Sequence, residues 1–262
     1  MTERSLAAVD SRLSAEVAEH PYPLLFVTIS GAHLYGFPSP DSDFDLRGSH
    51  VLPVEECLGL GQPAETISLA HVRDGIDVDL VTHDVRKFFS LLLRNNGYVL
   101  EQLYSPLVVW TSPAHEELKE IARGCITRRC LRHYLGFALN QWQIFAREAP
   151  RRVKTLLYVY RVLLTGIHMM RSGEVNANLL ECNAEMKLPY LADLVACKVE
   201  GNEKTVLNDL DFAFHQSEFE RLRGVLEEEA AVSRLPEAPT AKDALNSLLL
   251  RIRREFVPLY PA

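Results

Sequence analysis

Two β-type runs and the loop that joins them set the architecture of this chain: LLFVTISGAHLYGFPSPDSDFDLRGSHVL, residues 24–52. The first run, residues 24–30, is almost wholly apolar and rich in β-forming residues, which predicts a strand buried on both faces near the centre of a sheet. Residues 31–42 are crowded with Gly, Pro, Ser and Asp, so we predict a loop or irregular turn there. Residues 44–52 return to a strand-like composition and predict a second strand.

A D-x-D pair lies at the start of that second strand. Successive side chains of a strand point to opposite faces, so Asp43 and Asp45 share one face. Two carboxylates that close repel each other, so each raises the other's pKa or the pair binds a divalent cation. Carboxylate oxygens are hard ligands that favour Mg²⁺ or Mn²⁺. We therefore predict a magnesium or manganese site, with a solvent-exposed acidic turn as the alternative.

A second pair of acids follows about 30 residues later. Residues 66–72 and 76–82 are β-rich runs separated by an Asp-Gly dipeptide, which predicts an antiparallel hairpin. The second run carries Asp77 and Asp79 on one face among apolar neighbours, where each carboxylate needs a compensating partner. A shared metal ion would supply that partner. Acids on neighbouring strands below a glycine-containing loop suit two-metal phosphoryl transfer.

The rest of the chain is predicted to be mostly helical. Residues 5–18 have helical periodicity with Ser5 as N-cap, Asp84 is the predicted N-cap of a helix over residues 85–93, and a short helix is predicted at 98–104. Beyond about residue 113 the pattern predicts helices at 114–123, 126–147 and 152–171. We therefore predict an α+β protein with two domains, residues 1–115 and 116–262.

Composition and charge exclude several classes of protein. With 47% hydrophobic and 24% charged residues, the chain is not disordered or of low complexity. It has no apolar run long enough to span a membrane, and charges occupy the place of a signal peptide's apolar stretch, so we predict a soluble, unexported protein. Five cysteines are an odd number that favours reduced thiols over a disulfide framework, and the cytoplasm is the predicted compartment.

The chain has a net charge of −7, but one of its segments is basic. Residues 116–171 contain 11 Lys or Arg and only 4 Asp or Glu. Within it, Lys154, Tyr158 and Arg161 lie at helical spacing on one face, where they could clamp the phosphates of an anionic ligand. The alternative is an ordinary amphipathic surface helix.

Taken together, these motifs resemble a known superfamily. Gly31-Ala32-x-x-Tyr35-Gly36, then Asp41-Ser42-Asp43-Phe44-Asp45-Leu46-Arg47-Gly48, then Val78-Asp79-Leu80-Val81 resemble the DNA-polymerase-β-type nucleotidyltransferases. The chain is most similar to the predicted nucleotidyltransferases associated with RNA ligases, and residues 153–161 are similar to that family's basic helix. The resemblance implies a polymerase-β-like mixed sheet with helices, followed by an all-helical domain that clamps nucleotide or substrate.

The resemblance also implies roles for single residues. Asp43 and Asp45 would ligate two Mg²⁺ or Mn²⁺ ions, and Asp79 would complete the catalytic metal site, with Asp77 as the alternative third acid. The backbone of Gly31 and Ala32 would approach the phosphates of an NTP such as ATP. The remaining nucleotide-binding candidates are Arg47, Lys154, Tyr158 and Arg161. Arg47 could equally be a structural partner that neutralises Asp41 or Asp45.

The implied reaction moves an NMP group from an NTP to a hydroxyl or phosphate acceptor and releases pyrophosphate. The acceptor, an RNA end, a protein or a small molecule, is left open by the sequence. One position departs from the superfamily pattern, because Ala32 stands where the superfamily has serine and Ser30 comes one place too early. A catalytically decayed protein that binds nucleotides or RNA ends is therefore the alternative function.

Overall fold

The chain forms two compact units. The structure, a computed structural model, describes residues 11–73, 75–200 and 211–255. Of these, residues 11–30, 43–125 and 239–255 form the first unit, here called the sheet unit, and residues 31–42 and 126–238 form the second, here called the helical unit. The predicted domains, residues 1–115 and 116–262, remain a prediction.

The helices and strands of the two units are numbered in chain order. In the sheet unit they are α1 (Ser11–Ala18), β1 (Leu24–Ile29), β2 (Phe44–His50), α3 (Val54–Leu58), β3 (Thr66–Arg73), β4 (Ile76–Asp84), α4 (Val85–Leu93), α5 (Gly97–Leu103), β5 (Val108–Trp110), α6 (Pro113–Ala122) and α12 (Lys242–Glu255). In the helical unit they are α2 (Gly31–Tyr35), α7 (Cys130–Arg147), α8 (Val153–Ser172), α9 (Leu179–Met186), α10 (Tyr190–Glu200) and α11 (Phe212–Val232).

The five strands form one mixed sheet in the order β3-β4-β2-β1-β5. All six residues of β1 are buried, and β1 lies between β2 and β5, which confirms the predicted interior strand. The predicted hairpin is confirmed, because β3 pairs antiparallel with β4; its turn residue Asp74 lies outside the described residues. Strands β2 and β4 are parallel. The α+β class with a mixed sheet is therefore confirmed.

Capping residues and helical periodicity predict several helices of the sheet unit. The Asp84 side chain accepts a hydrogen bond from the Arg86 backbone N–H and so caps α4, as predicted. Helix α5 lies within one residue of its predicted bounds, with Asn96 as its N-cap. Helix α1 is described from Ser11, and the predicted N-cap Ser5 lies outside the described residues.

Helix α8 is the core of the helical unit. It packs against α7, α9, α10 and α11, and most of its side chains are buried. The alternative of an ordinary surface helix is therefore wrong, because neighbouring helices cover α8 on several sides. Trp142 of α7 stacks on Phe219 of α11 with ring centroids 4.6 Å apart, and Tyr134 is fully buried, so both are packing residues.

The segment after β1 differs from the prediction. Residues 31–35 form the one-turn helix α2 rather than a loop. Gly31 opens it with a φ of +62°, a conformation that glycine adopts without a Cβ penalty. The Phe37 N–H donates to the Ala32 carbonyl at 3.1 Å and closes the turn.

The five cysteines are free thiols, as their odd number predicts. No two of the five cysteines, all within the described ranges, are joined by a disulfide, and Cys125 and Cys130 are buried in the core. In the described ranges, no helix combines the length and the apolar character that crossing a bilayer requires.

Replacing Gly48 by Ala should lower the free energy of unfolding by about 2–3 kcal/mol. A Cβ at Gly48 would overlap the backbone carbonyl oxygen of Phe26 on the neighbouring strand, so β1 and β2 would have to separate. Gly136 on α7 is the matched control, because a Cβ there meets open space and alanine is the better helix former. Urea unfolding followed by circular dichroism should show destabilisation for Gly48→Ala alone; equal stability of the two variants would contradict the packing described.

Two buried histidines should make the sheet unit sensitive to acid. Burial lowers the pKa of His50 and of His115 to about 4, and both side chains are fully buried. The unfolded chain binds protons near pH 6.5 whereas the folded protein does not, so stability is complete above pH 6.5 and falls as the pH drops towards 4. We expect a loss of about 3 kcal/mol for each histidine across that range. Urea unfolding at several pH values should show a shallower loss for His50→Gln than for the wild type; identical slopes would contradict this origin.

Candidate active site

The parallel pairing of β2 and β4 brings two of the predicted acids side by side. Asp45 of β2 is the direct register partner of Asp79 of β4. Register partners on neighbouring strands point to the same face of a sheet, so their carboxylates lie next to each other. The Asp45 side chain is 21% exposed and that of Asp79 is 35% exposed. Asp45 and Asp79 are therefore the two predicted acids that the strand register brings together.

The other two predicted acids flank this pair. Asp43 directly precedes β2 and is exposed, two residues from Asp45. Asp77 is exposed on β4, two residues before Asp79, and its register partner is Val72 of β3. The ladder between β2 and β4 begins at Phe44 and Val78, so it pairs Asp79 with Asp45, whereas Asp77 lies one residue before it. Which of the two is the third acid stays a prediction.

The guanidinium of Arg47 binds both central carboxylates. Its Nη2 donates to Asp45 Oδ1 at 2.6 Å and to Asp79 Oδ2 at 2.8 Å. Its Nη1 donates to the backbone carbonyls of Asp79 at 2.6 Å and Leu46 at 2.9 Å, and its Nε donates to the Tyr98 hydroxyl at 3.1 Å. These five contacts match the five N–H donors of a guanidinium. Arg47 is therefore a partner of Asp45, as one of the two interpretations of the sequence predicts.

The charge of Arg47 is well supported by its surroundings. Burial opposes the charge, but Tyr98 and the carboxylates of Asp45 and Asp79 more than offset burial, so the pKa of Arg47 is raised above its usual value. The arginine therefore carries its charge at any pH at which the protein is folded. In this arrangement one positive charge is shared by two carboxylates.

The two central carboxylates suit a divalent cation. One oxygen of Asp45 and one of Asp79 bind the same nitrogen, Arg47 Nη2, so the two carboxylates lie close enough together to share a cation. Carboxylate oxygens are the ligands that Mg²⁺ and Mn²⁺ prefer. Among the residues that the structure describes, no three His, Cys, Asp or Glu side chains are grouped so that they could hold a metal ion. Asp43 as third ligand stays a prediction.

The helical unit brings together a second set of predicted residues. Gly31 and Ala32 begin α2, and Tyr35 at its end contacts α8. The Arg161 guanidinium lies over the Tyr35 ring, 3.9 Å from its centroid, and the Tyr158 ring meets the Tyr35 ring edge-on at 5.6 Å. The cation–π contact and the aromatic contact fix α2 on the predicted basic face of α8.

The members of that face differ in exposure. Arg161 is only 2% exposed, whereas Lys154 and Tyr158 are half-buried. His168, also on this face, is bound to Glu185 of α9 at 2.9 Å. The structure therefore joins Tyr158 and Arg161 to the glycine turn of α2, and leaves the phosphate-binding role of all these residues as a prediction.

Three residues that sequence analysis does not predict are in contact with residues of the predicted motifs: Tyr98, Ser39 and Lys198. Tyr98, the hydroxyl partner of Arg47, lies 51 residues away along the chain, and no local pattern connects the two. In the helical unit, the buried Lys198 donates to the hydroxyl of Ser39, which in turn donates to Asp41 Oδ1 at 2.6 Å. A lone lysine within an otherwise apolar helix face is a signal that could have identified Lys198.

Comparison with known proteins assigns the chain to a family. Residues 6–251 match the family described as the RNA repair pathway DNA polymerase beta family. The chain belongs to this family. The predicted resemblance to polymerase-β-type nucleotidyltransferases is thereby confirmed, and the family places the chain among the nucleotidyltransferases at a coarse level.

Three known proteins are similar to this chain. An uncharacterised protein of Methanocaldococcus jannaschii is 35% identical over 191 residues, which cover 70% of this chain and 74% of that protein. The uncharacterised protein YcgL of Bacillus subtilis is 25% identical over 243 residues, 88% of this chain and 90% of that protein. A crystal structure of a nucleotidyltransferase-like protein from Exiguobacterium sibiricum aligns with a TM-score of 0.32 at 12% identity, over 92% of this chain and 77% of that one.

Proposed function

We propose that this protein is a metal-dependent nucleotidyltransferase that moves an NMP group from an NTP to a hydroxyl or phosphate acceptor and releases pyrophosphate. The observation that carries the proposal is the register of Asp45 and Asp79 on neighbouring parallel strands, which places the two carboxylates side by side. Membership of the RNA repair pathway DNA polymerase beta family supports the same class of reaction.

The metal site would consist of Asp43, Asp45 and Asp79. A bound Mg²⁺ or Mn²⁺ would supply charge for the NTP phosphates, a lowered pKa for the attacking hydroxyl and stabilisation of the pyrophosphate leaving group. Asp45 and Asp79 lie side by side and have the donor chemistry that such an ion needs. Asp43, exposed just before β2, would add the third carboxylate.

The nucleotide would be held by groups of the chain itself. The backbone N–H groups of Gly31 and Ala32 would donate to phosphate oxygens, since small side chains let a phosphate approach the backbone. Lys154, Tyr158 and Arg161 would bind the β- and γ-phosphates, with Arg161 oriented by its contact with Tyr35. Arg47, the remaining predicted nucleotide ligand, uses all five N–H donors within the protein, so its part in nucleotide binding would be the electrostatic attraction of its charge for the phosphates.

An RNA end is the acceptor that we favour, over a protein or a small molecule. The description of the family names an RNA repair pathway. The excess of basic residues in 116–171 offers positive charge to a polyanion. The cytoplasm, where NTPs, Mg²⁺ and RNA ends occur together, is the compartment in which we propose that the reaction takes place.

Transfer of label from an α-³²P-labelled NTP tests this proposal. Each of the four NTPs is incubated with Mg²⁺ or Mn²⁺ and with RNA oligonucleotides ending in 3′-hydroxyl, 3′-phosphate or 5′-phosphate groups, and released pyrophosphate is measured. We expect labelled RNA and an equal amount of pyrophosphate with the wild type, and neither with the folded double variant Asp43→Asn, Asp45→Asn. Equal labelling by both proteins would contradict the proposal.

A nucleotide- or RNA-end-binding protein without transfer activity is the second candidate. The observation that favours it is Ala32, 5% exposed at the start of α2, which offers no hydroxyl where the superfamily has serine. Metal-dependent NTP binding without pyrophosphate release on any acceptor would favour this candidate. Restoration of transfer by Ala32→Ser would identify the missing hydroxyl as the cause.

A further inference from the structure

The anchoring of Arg47 differs from that of an ordinary surface ion pair. Three of its five hydrogen bonds go to neutral acceptors, which are two backbone carbonyls and the Tyr98 hydroxyl. Only Nη2 faces the carboxylates of Asp45 and Asp79. The Arg47 side chain is 11% exposed, less than either of its acidic partners. The guanidinium can therefore keep its place even when the carboxylates bind another cation.

A fixed positive charge at this place has two electrostatic effects. It cancels the repulsion between two carboxylates that lie side by side on neighbouring strands. It also repels any divalent cation that the same carboxylates would ligate, because both cations would lie within a few ångströms of each other. The first effect stabilises the metal-free protein, and the second weakens its affinity for metal.

We propose that Arg47 is a fixed counter-cation of the carboxylate site, so that a divalent metal binds tightly only together with the negative charge of an NTP. The triphosphate supplies the charge that offsets the repulsion between Arg47 and the metal. This inference rests on the proposed function and adds to it the coupling between metal and nucleotide. Arg47 acts here as a positioning residue through Asp45 and Asp79.

Titration of Mn²⁺ into the nucleotide-free protein, followed by the paramagnetic resonance signal of free Mn²⁺, tests this proposal. Arg47→Gln removes the charge and should bind Mn²⁺ about tenfold more tightly than the wild type. Arg47→Lys keeps the charge and is the matched control, with an expected affinity within about threefold of the wild type. In thermal unfolding, Arg47→Gln should be less stable without metal and gain more from Mn²⁺ than the wild type.

Several results would overturn the proposal. The proposal is wrong if Arg47→Gln binds Mn²⁺ no more tightly than the wild type does. It is also wrong if Arg47→Lys gains as much Mn²⁺ affinity as Arg47→Gln. If Arg47→Gln does not fold, Tyr98→Phe replaces it. That variant removes the acceptor of Nε, so the guanidinium moves away more readily and Mn²⁺ should bind about two- to fivefold more tightly. No gain in that folded variant would overturn the proposal as well.

The double variant Asp45→Asn, Asp79→Asn separates this inference from the proposed function. If Mn²⁺ binds to it as well as to the wild type, the metal site lies elsewhere and the proposed function fails. If binding is lost in the double variant but unchanged in Arg47→Gln, the carboxylate site stands and only the role of Arg47 is wrong. Addition of a non-hydrolysable NTP should increase Mn²⁺ affinity more in the wild type than in Arg47→Gln.

Discussion

Asp79→Asn should reduce nucleotidyl transfer by at least about 10³-fold. Asp79 stands in register with Asp45, so its carboxylate lies beside that of the D-x-D strand. Asparagine keeps the shape of the side chain and one carbonyl oxygen for Arg47, but it removes the charge that a divalent cation needs. Steady-state transfer of an α-labelled NMP group, with Mg²⁺ saturating for the wild type, measures the loss.

Asp77→Asn is the control for this prediction. Asp77 lies on the same strand and the same face, is exposed, and is two residues away from the register position. We expect its transfer rate to stay within about threefold of the wild type, as is usual for a surface substitution. A larger loss for Asp77→Asn than for Asp79→Asn would make Asp77 the third acid and would contradict the site described here.

Asp84→Ala should lower the free energy of unfolding by about 4 kcal/mol. The Asp84 carboxylate is buried and accepts hydrogen bonds from Arg253 of α12 at 2.6 and 2.7 Å. It also accepts from the backbone N–H groups of Leu52 and Arg86, the latter as the cap of α4. Its removal leaves a buried guanidinium, whose side chain is 11% exposed, without this carboxylate.

Urea unfolding followed by circular dichroism measures that loss. Asp243→Ala is the control, because Asp243 is an exposed acid in the first turn of α12 and should change stability by less than about 0.5 kcal/mol. Arg253→Met, which strands the other member of the pair, should destabilise by a similar amount to Asp84→Ala. A loss below about 1 kcal/mol for Asp84→Ala would show that the pair does not hold α12 to the sheet.

The elements that the sequence predicts well are those fixed by local chemistry. The apolar run of β1 and the Asp84 cap of α4 each act within a few residues, so composition and periodicity suffice to locate them. The predicted pairing of β3 with β4 rests on a short turn of the same kind. The strand predicted after the D-x-D motif is likewise local, and β2 begins within that motif as predicted.

The elements that the sequence does not determine depend on distant contacts. Nothing in the spacing of Asp45 and Asp79 fixes β2 and β4 as parallel neighbours in that register, because register is set by the whole sheet. The composition of residues 31–42 predicts a loop, so it does not predict the one-turn helix α2. That helix depends on a distant contact, because the Tyr35 ring packs against the guanidinium of Arg161 on α8. The burial of Arg161 likewise depends on that ring and not on the helical stripe.

Calorimetric titration of the four NTPs, with Mg²⁺ and with EDTA, into the wild type and into Asp45→Asn, Asp79→Asn tests the central claim most directly. Binding needs no knowledge of the acceptor. We predict that the wild type binds at least one NTP with Mg²⁺, and that EDTA or the double substitution weakens this binding at least about tenfold. NTP affinity that is the same with EDTA, or the same in the folded double variant, would contradict a metal-dependent nucleotide site at Asp45 and Asp79.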